Sequence, residues 1–512
     1  MRKQTNQVKA GALLSYVNLA LSSAIPFVYT PIMLRLLGEA EYGLYSLSSS
    51  VIAYLSLLSF GFGSTIIRYI SKYRAEENKK AVEETFGFFL LLYIFLAVIV
   101  LLLGIIISGN VNRIFSNGLT NAEIAKIRYL ILIMSFNSAL AFPISVFSSM
   151  ITSYDRHFFR KLVDMLATIA APLANLIALY LGYASVGMAV AATVVQFMML
   201  PLNIVYCKKI LLIKPRFTKL PRNLICEMLG FSVFVFIGAV VDMLFWATDK
   251  VILGMLAGTT AVAVYNIGVT FNNMVVNLST SISGVLVPKI TGMVFTNTPK
   301  EEWSSLFIKV GRLQFVVVAL IISGFSVFGQ IFIELWAGTE YADAFWVAVL
   351  TMFPLCIPLI QNTGISIVTA QNKHQFRSIV YLIIAVANVI STYIIVPYMG
   401  MIGAAICSCI SYLLGQGIVM NIYYYKVTGI DIPLFWKNIL NMSLVPAILM
   451  LTGIVLLQYI KFNNWLEFFT GVILYVAIYL VLMYRFSVNE YEKNVIRKPI
   501  LKIWNRIKEK HG

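Results

Sequence analysis

The chain has 512 residues, of which 60% are hydrophobic and only 12% are charged, and its formal net charge is +17. Soluble domains carry about 25% charged residues, so this composition excludes a chain that mainly faces water. Because backbone polar groups in lipid must pair internally, such a chain forms helices or a closed barrel. The apolar runs, such as residues 86–108, are too long for barrel strands and fit helices across a hydrocarbon core of about 30 Å.

These runs predict an all-α polytopic membrane protein with about fourteen transmembrane helices and both termini in the cytoplasm. The first run is too long for the apolar part of a signal peptide, so we interpret it as a span. In chain order the spans are predicted at residues 11–33, 44–67, 86–108, 127–151, 163–183, 184–206, 230–256, 261–288, 306–330, 345–370, 378–396, 400–424, 438–460 and 467–485.

The basic residues are distributed unequally between the two sides of this topology. Of the 39 Lys and Arg residues, five fall in predicted outer segments, namely Arg35, Arg113, Lys126, Arg128 and Lys461. Segments that stay in the cytoplasm are enriched in Lys and Arg, so the bias fixes the orientation. Membrane topology therefore explains the net positive charge of the chain, and we expect no nucleic-acid partner.

The last residues of the chain combine basic and apolar side chains. One helical face of residues 497–511 would carry Ile500, Leu501, Ile503, Trp504 and Ile507. This pattern predicts an amphipathic helix on the anionic inner leaflet. A frayed basic tail is the alternative.

The two halves of the chain resemble each other. Three pairs of segments match in order: residues 37–45 with 257–265 at an offset of 220, 152–160 with 369–377 at 217, and 186–189 with 402–405 at 216. Each half contains an even number of spans, so the repeat is parallel, with its axis along the membrane normal. Two such lobes can enclose a central cavity and give alternating access by rocking.

The repeat predicts two parallel six-helix lobes plus two extra helices. The predicted division is an N-lobe of spans 1–6 (1–206), a basic cytoplasmic linker (207–222), a C-lobe of spans 7–12 (223–425), spans 13–14 (426–486) and a cytoplasmic tail (487–512).

Few ionisable residues fall within or at the ends of spans. Asp242 and Asp249 of span 7 are seven residues apart and share a helical face, and Lys250 is about 100° away, close enough to line the same cavity. Arg35 ends span 1 and Arg68 ends span 2. Charges in spans are costly and usually face a cavity. We predict that Arg35, Arg68 and Lys250 attract an anionic substrate group, and that Asp242 or Asp249 binds a coupling cation or proton.

The alternative is that these charged residues have no role in binding. Asp249 and Lys250 would lie near the outer end of span 7, partly solvated, and Arg68 would only follow the positive-inside rule.

Span 8 carries a polar stripe along one helical face. Its members, spaced by four, three, four and three residues, are Asn266, Thr270, Asn273, Asn277 and Thr280. The stripe predicts a surface that lines the substrate cavity. The alternative is hydrogen bonding between helices.

No pattern for catalysis is found. The chain has no Gly-rich phosphate-binding loop followed by Lys-Ser or Lys-Thr, and no His, Cys and Asp cluster with metal-ligand spacing. We therefore expect no enzyme activity, no cofactor and no metal. A membrane glycosyltransferase stays the alternative, since such enzymes can have many spans, but the longest outer loop is only about residues 109–126.

Three motifs resemble those of a known family. Residues 34–46, residues 61–69, and residues 248–254 followed by Val264-Tyr265 are similar to motifs of Wzx-type polysaccharide flippases. These proteins belong to the multidrug/oligosaccharidyl-lipid/polysaccharide exporter superfamily. The resemblance covers essentially the whole chain.

The resemblance implies a cargo, namely an oligosaccharide linked by pyrophosphate to undecaprenol. Such a flippase moves its cargo from the inner to the outer leaflet of the bacterial cell membrane, usually coupled to H+ or Na+. Its implied partners are membrane lipids, a polysaccharide polymerase and glycosyltransferases. Arg35, Arg68 and Lys250 would bind the pyrophosphate, and the polar stripe would bind the sugar.

Two relatives in the superfamily compete with this interpretation. Multidrug exporters usually have twelve spans and bind cations, so spans 13–14 and Lys250 count against them. The peptidoglycan-precursor flippase also has fourteen spans, but its arginine-rich start of span 1 is missing here.

Overall fold

A computed structural model describes residues 2–217, 236–241, 243–245, 247–284, 290, 292–293, 299–371, 374–460, 462, 464–493 and 497. These residues form helices and connecting turns, and no strand occurs among them. The helices are α1 (Arg2–Leu37), α2 (Glu39–Ser56), α3 (Phe62–Ala75), α4 (Lys79–Phe115), α5 (Asn121–Ser153), α6 (His157–Tyr180), α7 (Ala184–Val205), α8 (Thr248–Leu256), α9 (Gly258–Gly284), α10 (Lys300–Trp336), α11 (Ala344–Ile360), α12 (Asn362–Ala370), α13 (His374–Tyr412), α14 (Ile432–Leu457) and α15 (Trp465–Phe486).

Short polar motifs mark where several long helices begin. At the start of α5, the Thr120 backbone N donates to Glu123 Oε2 (2.8 Å) and the Glu123 backbone N donates to Thr120 Oγ1 (3.4 Å). At the start of α4, the Ala81 backbone N donates to Asn78 Oδ1 over 3.0 Å. Each cap satisfies N–H groups that lack a partner in the first helical turn, and so fixes the beginning of an apolar run.

The described residues contain ten helical runs that are long and apolar enough to cross a membrane, or eleven if α11 and α12, bent by 46°, form one span. Predicted spans 11 and 12 lie in a single run, which is interrupted at Gly400 (φ 54°, ψ −138°). Predicted span 7 falls partly outside the described residues. The all-α multi-pass prediction is confirmed, and the count of fourteen, with which the structure is consistent, stays a prediction.

The first of two compact units comprises Met1–Asn266 and Ala385–Ala404. In it α4 packs against α5, and α6 packs against both α1 and α7. Phe86 and Phe147 meet edge to face with ring centroids 5.5 Å apart. Gly104 allows α4 to approach α5 closely, because a methyl group there would overlap Ser135. Small residues of this kind are what lets helices pack in a membrane.

The second compact unit comprises Ile267–Ile384 and Ala405–Gly512. Its central helix is α10, which packs against α11, α14 and α15. The Phe328 ring centroid on α10 lies 6.0 Å from that of Phe468 and 5.6 Å from that of Tyr475, both on α15. The two helices that follow the predicted repeat are therefore packed onto α10.

Two matched positions of the predicted repeat share an unusual backbone conformation. Gly38 precedes α2 with φ +77°, and Gly258 begins α9 with φ +89°. Only glycine adopts such angles at low cost, which explains why both repeat copies have it. The lobe boundaries stay a prediction. Residues 218–222 of the linker and residues 498–511 of the predicted amphipathic helix lie outside the described residues.

Candidate functional site

A cavity of about 510 Å³ lies in the first unit, between α2, the turn that follows it, α8 and the residues Ala239, Met243 and Ala247. Four serines line the cavity, namely Ser49, Ser50, Ser56 and Ser59. Small apolar side chains and one glycine complete most of the wall, and Lys250 of α8 adds an ammonium group. Lys250 is the one ionisable side chain of this lining in the described part of the chain. The cavity therefore offers one positive charge among hydroxyl groups.

The ammonium of Lys250 belongs to a chain of hydrogen bonds. Lys250 Nζ donates to Asn266 Oδ1 on α9 over 3.2 Å. Asn266 Nδ2 donates in turn to Tyr42 Oη (2.7 Å) and to Ser46 Oγ (3.2 Å), both on α2. Tyr42 and Ser46 are buried. Asn266, a predicted substrate-binding residue, is thus placed between Lys250 and α2.

The serine hydroxyls are partly engaged within α2 itself. Ser50 Oγ donates to the Ser46 carbonyl (2.9 Å), and Ser56 Oγ donates to the Ile52 carbonyl (3.4 Å). A hydroxyl that donates its proton backwards along the helix keeps its lone pairs for other donors. These serines were not among the predicted site residues, because the prediction was based on charged residues, amides and threonines. Their signal is the recurrence of Ser49, Ser56 and Ser59 along one helix and its turn.

Asp249 precedes Lys250 but has different surroundings. Its side chain is buried, and it accepts hydrogen bonds from Tyr265 Oη of α9 (2.6 Å) and Thr392 Oγ1 of α13 (3.4 Å). It is not among the residues that line the cavity. We expected both side chains at one cavity, but the turn of about 100° between neighbouring residues directs only Lys250 into it. Asp242, the other predicted ion-coupling residue, lies outside the described residues.

The two predicted arginines are not found with Lys250. Arg35 lies in the last turn of α1 and is exposed. Arg68 lies on α3, also exposed, with its guanidinium carbon 6.0 Å from the Tyr69 ring centroid. Neither residue lines the cavity. A common site for the three cations stays a prediction.

The polar stripe of predicted span 8 follows α9 as predicted, but its members differ in surroundings. Asn266 belongs to the first unit, whereas Thr270, Asn273 and Asn277 belong to the second. In the second unit Asn273 and Asn277 are exposed and Thr270 is half-buried. The buried amide beside the stripe is Asn272, whose Nδ2 donates to Thr351 Oγ1 over 2.5 Å. The helix thus buries Asn272, whereas Asn273 and Asn277 of the predicted stripe are exposed.

The N-terminal ends of α2, α5 and α9 are held together by two carboxylates of the first unit. Glu41 pairs with Lys126 and accepts a hydrogen bond from Ser185 Oγ (2.5 Å). Glu123 accepts a hydrogen bond from Thr259 Oγ1 over 2.6 Å. These contacts tie the first turn of α2 to α5 and α7, and the first turn of α5 to that of α9.

A buried ion pair in the second unit escaped the sequence analysis. Arg312 of α10 donates from Nε to Glu492 Oε1 (2.6 Å) and from Nη2 to Glu492 Oε2 (3.0 Å). The exposed fractions of the two side chains are 8% and 2%. Arg312 lies within the predicted span 306–330, where a charge is unusual, but its partner is 180 residues away and no local pattern pairs the two. Among the described residues, no group of three or more His, Cys, Asp or Glu side chains could hold a metal ion.

Comparison with known sequences gives relatives along most of the chain. An uncharacterized membrane protein of Methanocaldococcus jannaschii is 23% identical over 95% of this chain and 97% of its own length. The uncharacterized membrane protein EpsK of Bacillus subtilis is 21% identical over 85% of this chain and 86% of its own length.

Two solved structures share the fold at 15% identity. The lipid II flippase MurJ, in an inward closed conformation, matches with a TM-score of 0.72 over 95% of this chain and 99% of its own. An inward-facing multidrug resistance transporter of the MATE family matches with a TM-score of 0.64 over 82% of this chain and 99% of its own. A family model described as polysaccharide biosynthesis protein matches residues 8–294, which is more than half of the chain. The chain is therefore a multi-pass membrane protein that belongs to the polysaccharide biosynthesis protein family, as the sequence motifs indicated.

Proposed function

We propose that the protein is a flippase that moves an undecaprenyl-pyrophosphate-linked oligosaccharide from the inner to the outer leaflet by alternating access. The observation that carries this proposal is the cavity of about 510 Å³ with Lys250 among serine hydroxyls. An ammonium forms charge-assisted hydrogen bonds with phosphate oxygens. Hydroxyl groups match the donors and acceptors of a sugar. The same lining disfavours the cationic compounds that multidrug exporters bind.

A lipid-linked cargo also needs an apolar surface. A second cavity, of about 590 Å³, lies on α10, α14 and α15 of the second unit and is lined mostly by apolar side chains. We propose that α14 and α15, the predicted spans 13 and 14, serve the lipid part of the cargo. The lengths of the structural matches support this, since the MATE transporter covers 82% of the chain and the lipid II flippase covers 95%.

We further propose coupling to H+ or Na+ through Asp249. Its buried carboxylate has two hydroxyl partners, Tyr265 and Thr392, on two other helices. A buried carboxylate that gains a proton or a cation changes its hydrogen bonds to such neighbours. Asp242 stays a second candidate from the sequence. We propose a location in the bacterial cell membrane, and the strong Lys and Arg bias supports an orientation with both termini in the cytoplasm.

The transport proposal is tested in proteoliposomes with a fluorescent, short-sugar undecaprenyl pyrophosphate. The readout is the appearance of the sugar on the opposite leaflet, detected by a membrane-impermeant lectin. Loss of one charge-assisted hydrogen bond should slow Lys250→Met by about tenfold. Lys250→Arg should retain most activity. Lys309→Met, which removes a lysine of the second unit, is the matched control. Equal rates for Lys250→Met and wild type would refute the role of the cavity.

The cargo class is tested by exchanging the probe. Efficient flipping of lipid II but not of other oligosaccharide lipids would identify a peptidoglycan-precursor flippase instead. Efflux of ethidium without movement of any lipid would identify a multidrug exporter.

Coupling is tested by imposing a pH or Na+ gradient on the same vesicles. We expect Asp249→Asn to reduce the gradient-driven rate to the rate without a gradient, because a neutral amide carries no coupling charge. Unchanged gradient dependence in Asp249→Asn would exclude Asp249 as the coupling site.

A further inference from the structure

The helix α2 and the beginning of α9 approach each other closely in the first unit. Residues 42–47 of α2 lie against residues 259–266 of α9, a contact that we call the crossing. A methyl group at Gly43 would overlap the Thr259 carbonyl. Deeper in the crossing, Ser46 and Asn266 are joined by a hydrogen bond of 3.2 Å. The crossing therefore holds the two backbones in direct contact.

One side chain links the crossing to the cavity. The Asn266 amide accepts from Lys250 Nζ (3.2 Å) on its oxygen and donates to Tyr42 (2.7 Å) and Ser46 from its nitrogen. Tyr42 and Ser46 are buried on α2, whereas Lys250 lines the cavity. Asn266 thus contacts the cavity-lining Lys250 on one side and α2 on the other.

Hydrogen bonds in such a chain strengthen one another. A cation at the amide oxygen polarises the amide and makes its N–H groups better donors. While Lys250 binds Asn266, the amide therefore binds Tyr42 and Ser46 more strongly. When the ammonium turns to another acceptor, these bonds weaken.

We infer that Asn266 senses cargo at Lys250 and releases the crossing when cargo binds. This inference rests on the proposed function, since it requires an anionic group in the cavity. A phosphate is a stronger acceptor for an ammonium than an amide oxygen is. It withdraws Lys250 from Asn266, weakens the hold of Asn266 on Tyr42 and Ser46, and favours the state in which α2 and α9 separate. Asn266 is then a positioning residue that couples binding to opening.

The first experiment measures the crossing without cargo. Spin labels are placed at Ala40 and Thr260, which are exposed at matched positions of α2 and α9. Pulsed electron resonance then gives the distribution of label distances in lipid nanodiscs, in a background without the five native cysteines. Loss of one hydrogen bond should raise the separated population about fivefold in Tyr42→Phe and Ser46→Ala. Ser48→Ala is the control, because the Ser48 hydroxyl donates to the Leu44 carbonyl of its own helix.

A second variant shifts the population in the opposite direction. In Asn266→Asp, Lys250 gains an ion pair, and the hydroxyls of Tyr42 and Ser46 can both donate to the carboxylate. We expect fewer separated molecules than in wild type. A merely structural role of Asn266 predicts more separated molecules in every Asn266 variant, so that result overturns the inference. Unchanged distances in both Tyr42→Phe and Ser46→Ala also overturn it.

The third experiment adds undecaprenyl pyrophosphate as the probe, with undecaprenol as the control lipid. In wild type, undecaprenyl pyrophosphate should raise the separated population about fivefold, whereas undecaprenol should not. In Asn266→Asp, undecaprenyl pyrophosphate should leave the separated population unchanged. Suppose that the probe binds to wild type and binds more weakly to Lys250→Met, but that the label distances do not change. The sensing role of Asn266 is then overturned, and the proposed function stands. If the probe does not bind wild type at all, the proposed function itself fails.

Discussion

Lys250 and Arg312 are both cations on membrane helices, but the protein surrounds them differently. Arg312 is neutralised by Glu492, with both nitrogen–oxygen distances at 3.0 Å or less and both side chains almost fully buried. Lys250 faces a serine-lined cavity and bonds to a neutral amide. Within the described residues it has no carboxylate oxygen at ion-pair distance.

The difference distinguishes a charge that is neutralised within the protein from one that we propose to bind cargo. Removing one partner of a buried pair leaves an uncompensated charge in a low-dielectric region. A cation that faces a cavity and is not paired with a carboxylate can bind an anion that enters the cavity. Four mutations test this comparison, and they differ in the expected size of their effect on the free energy of unfolding.

Glu492→Leu should destabilise the protein most, by about 3–5 kcal/mol, because the buried Arg312 keeps its charge without a carboxylate to neutralise it. The double variant Arg312→Met with Glu492→Leu should recover most of this loss. Chemical unfolding in detergent, followed by intrinsic fluorescence, measures both. A single variant as stable as wild type would show that the pair is not structural.

Gly43→Ala should cost about 1–3 kcal/mol, because the added methyl group forces the α2 backbone away from the Thr259 carbonyl. Gly109→Ala is the matched control, since a methyl group at this position of α4 has no atom within 4 Å. Thermal unfolding of the two variants in nanodiscs compares them. Equal melting temperatures would contradict the closeness of the crossing.

Lys250→Met should change the free energy of unfolding by no more than about 1 kcal/mol, because it removes one hydrogen bond and no ion pair. The same variant is expected to slow transport about tenfold, so stability and activity separate at this residue. A loss as large as that of Glu492→Leu would mean that Lys250 is as structural as Arg312.

Ser56→Ala should have the smallest effect on stability, about 0.5 kcal/mol, because its hydroxyl bonds only weakly to the Ile52 carbonyl. Binding of undecaprenyl pyrophosphate carrying a sugar should weaken about twofold. Ser443→Ala, at an apolar cavity of the second unit, should leave this affinity unchanged. Isothermal titration with detergent-solubilised lipid distinguishes the two variants.

The sequence predicted what depends on local periodicity. Hydropathy placed the helices, and the cost of charge in lipid singled out Lys250. The polar stripe found Asn266, which indeed contacts Lys250.

Features that depend on tertiary packing could not be predicted. Asp249 and Lys250 are neighbours in the chain, but the helix rotation sends them to different surroundings. Serines are frequent and uncharged, so Ser49 and Ser56 do not stand out until a cavity forms beside them. The Arg312–Glu492 pair joins distant segments, and no spacing rule connects them.

The hydrogen bond between Ser46 and Asn266 joins positions 220 residues apart, which is also the repeat offset around Gly38 and Gly258. In a two-fold dimer, a residue on the symmetry axis touches its own copy. The predicted repeat places Ser46 and Asn266 at equivalent positions of its two copies. The two side chains are unlike: the amide of Asn266 has an acceptor for Lys250 and two donors for Tyr42 and Ser46, whereas a hydroxyl has a single proton to donate.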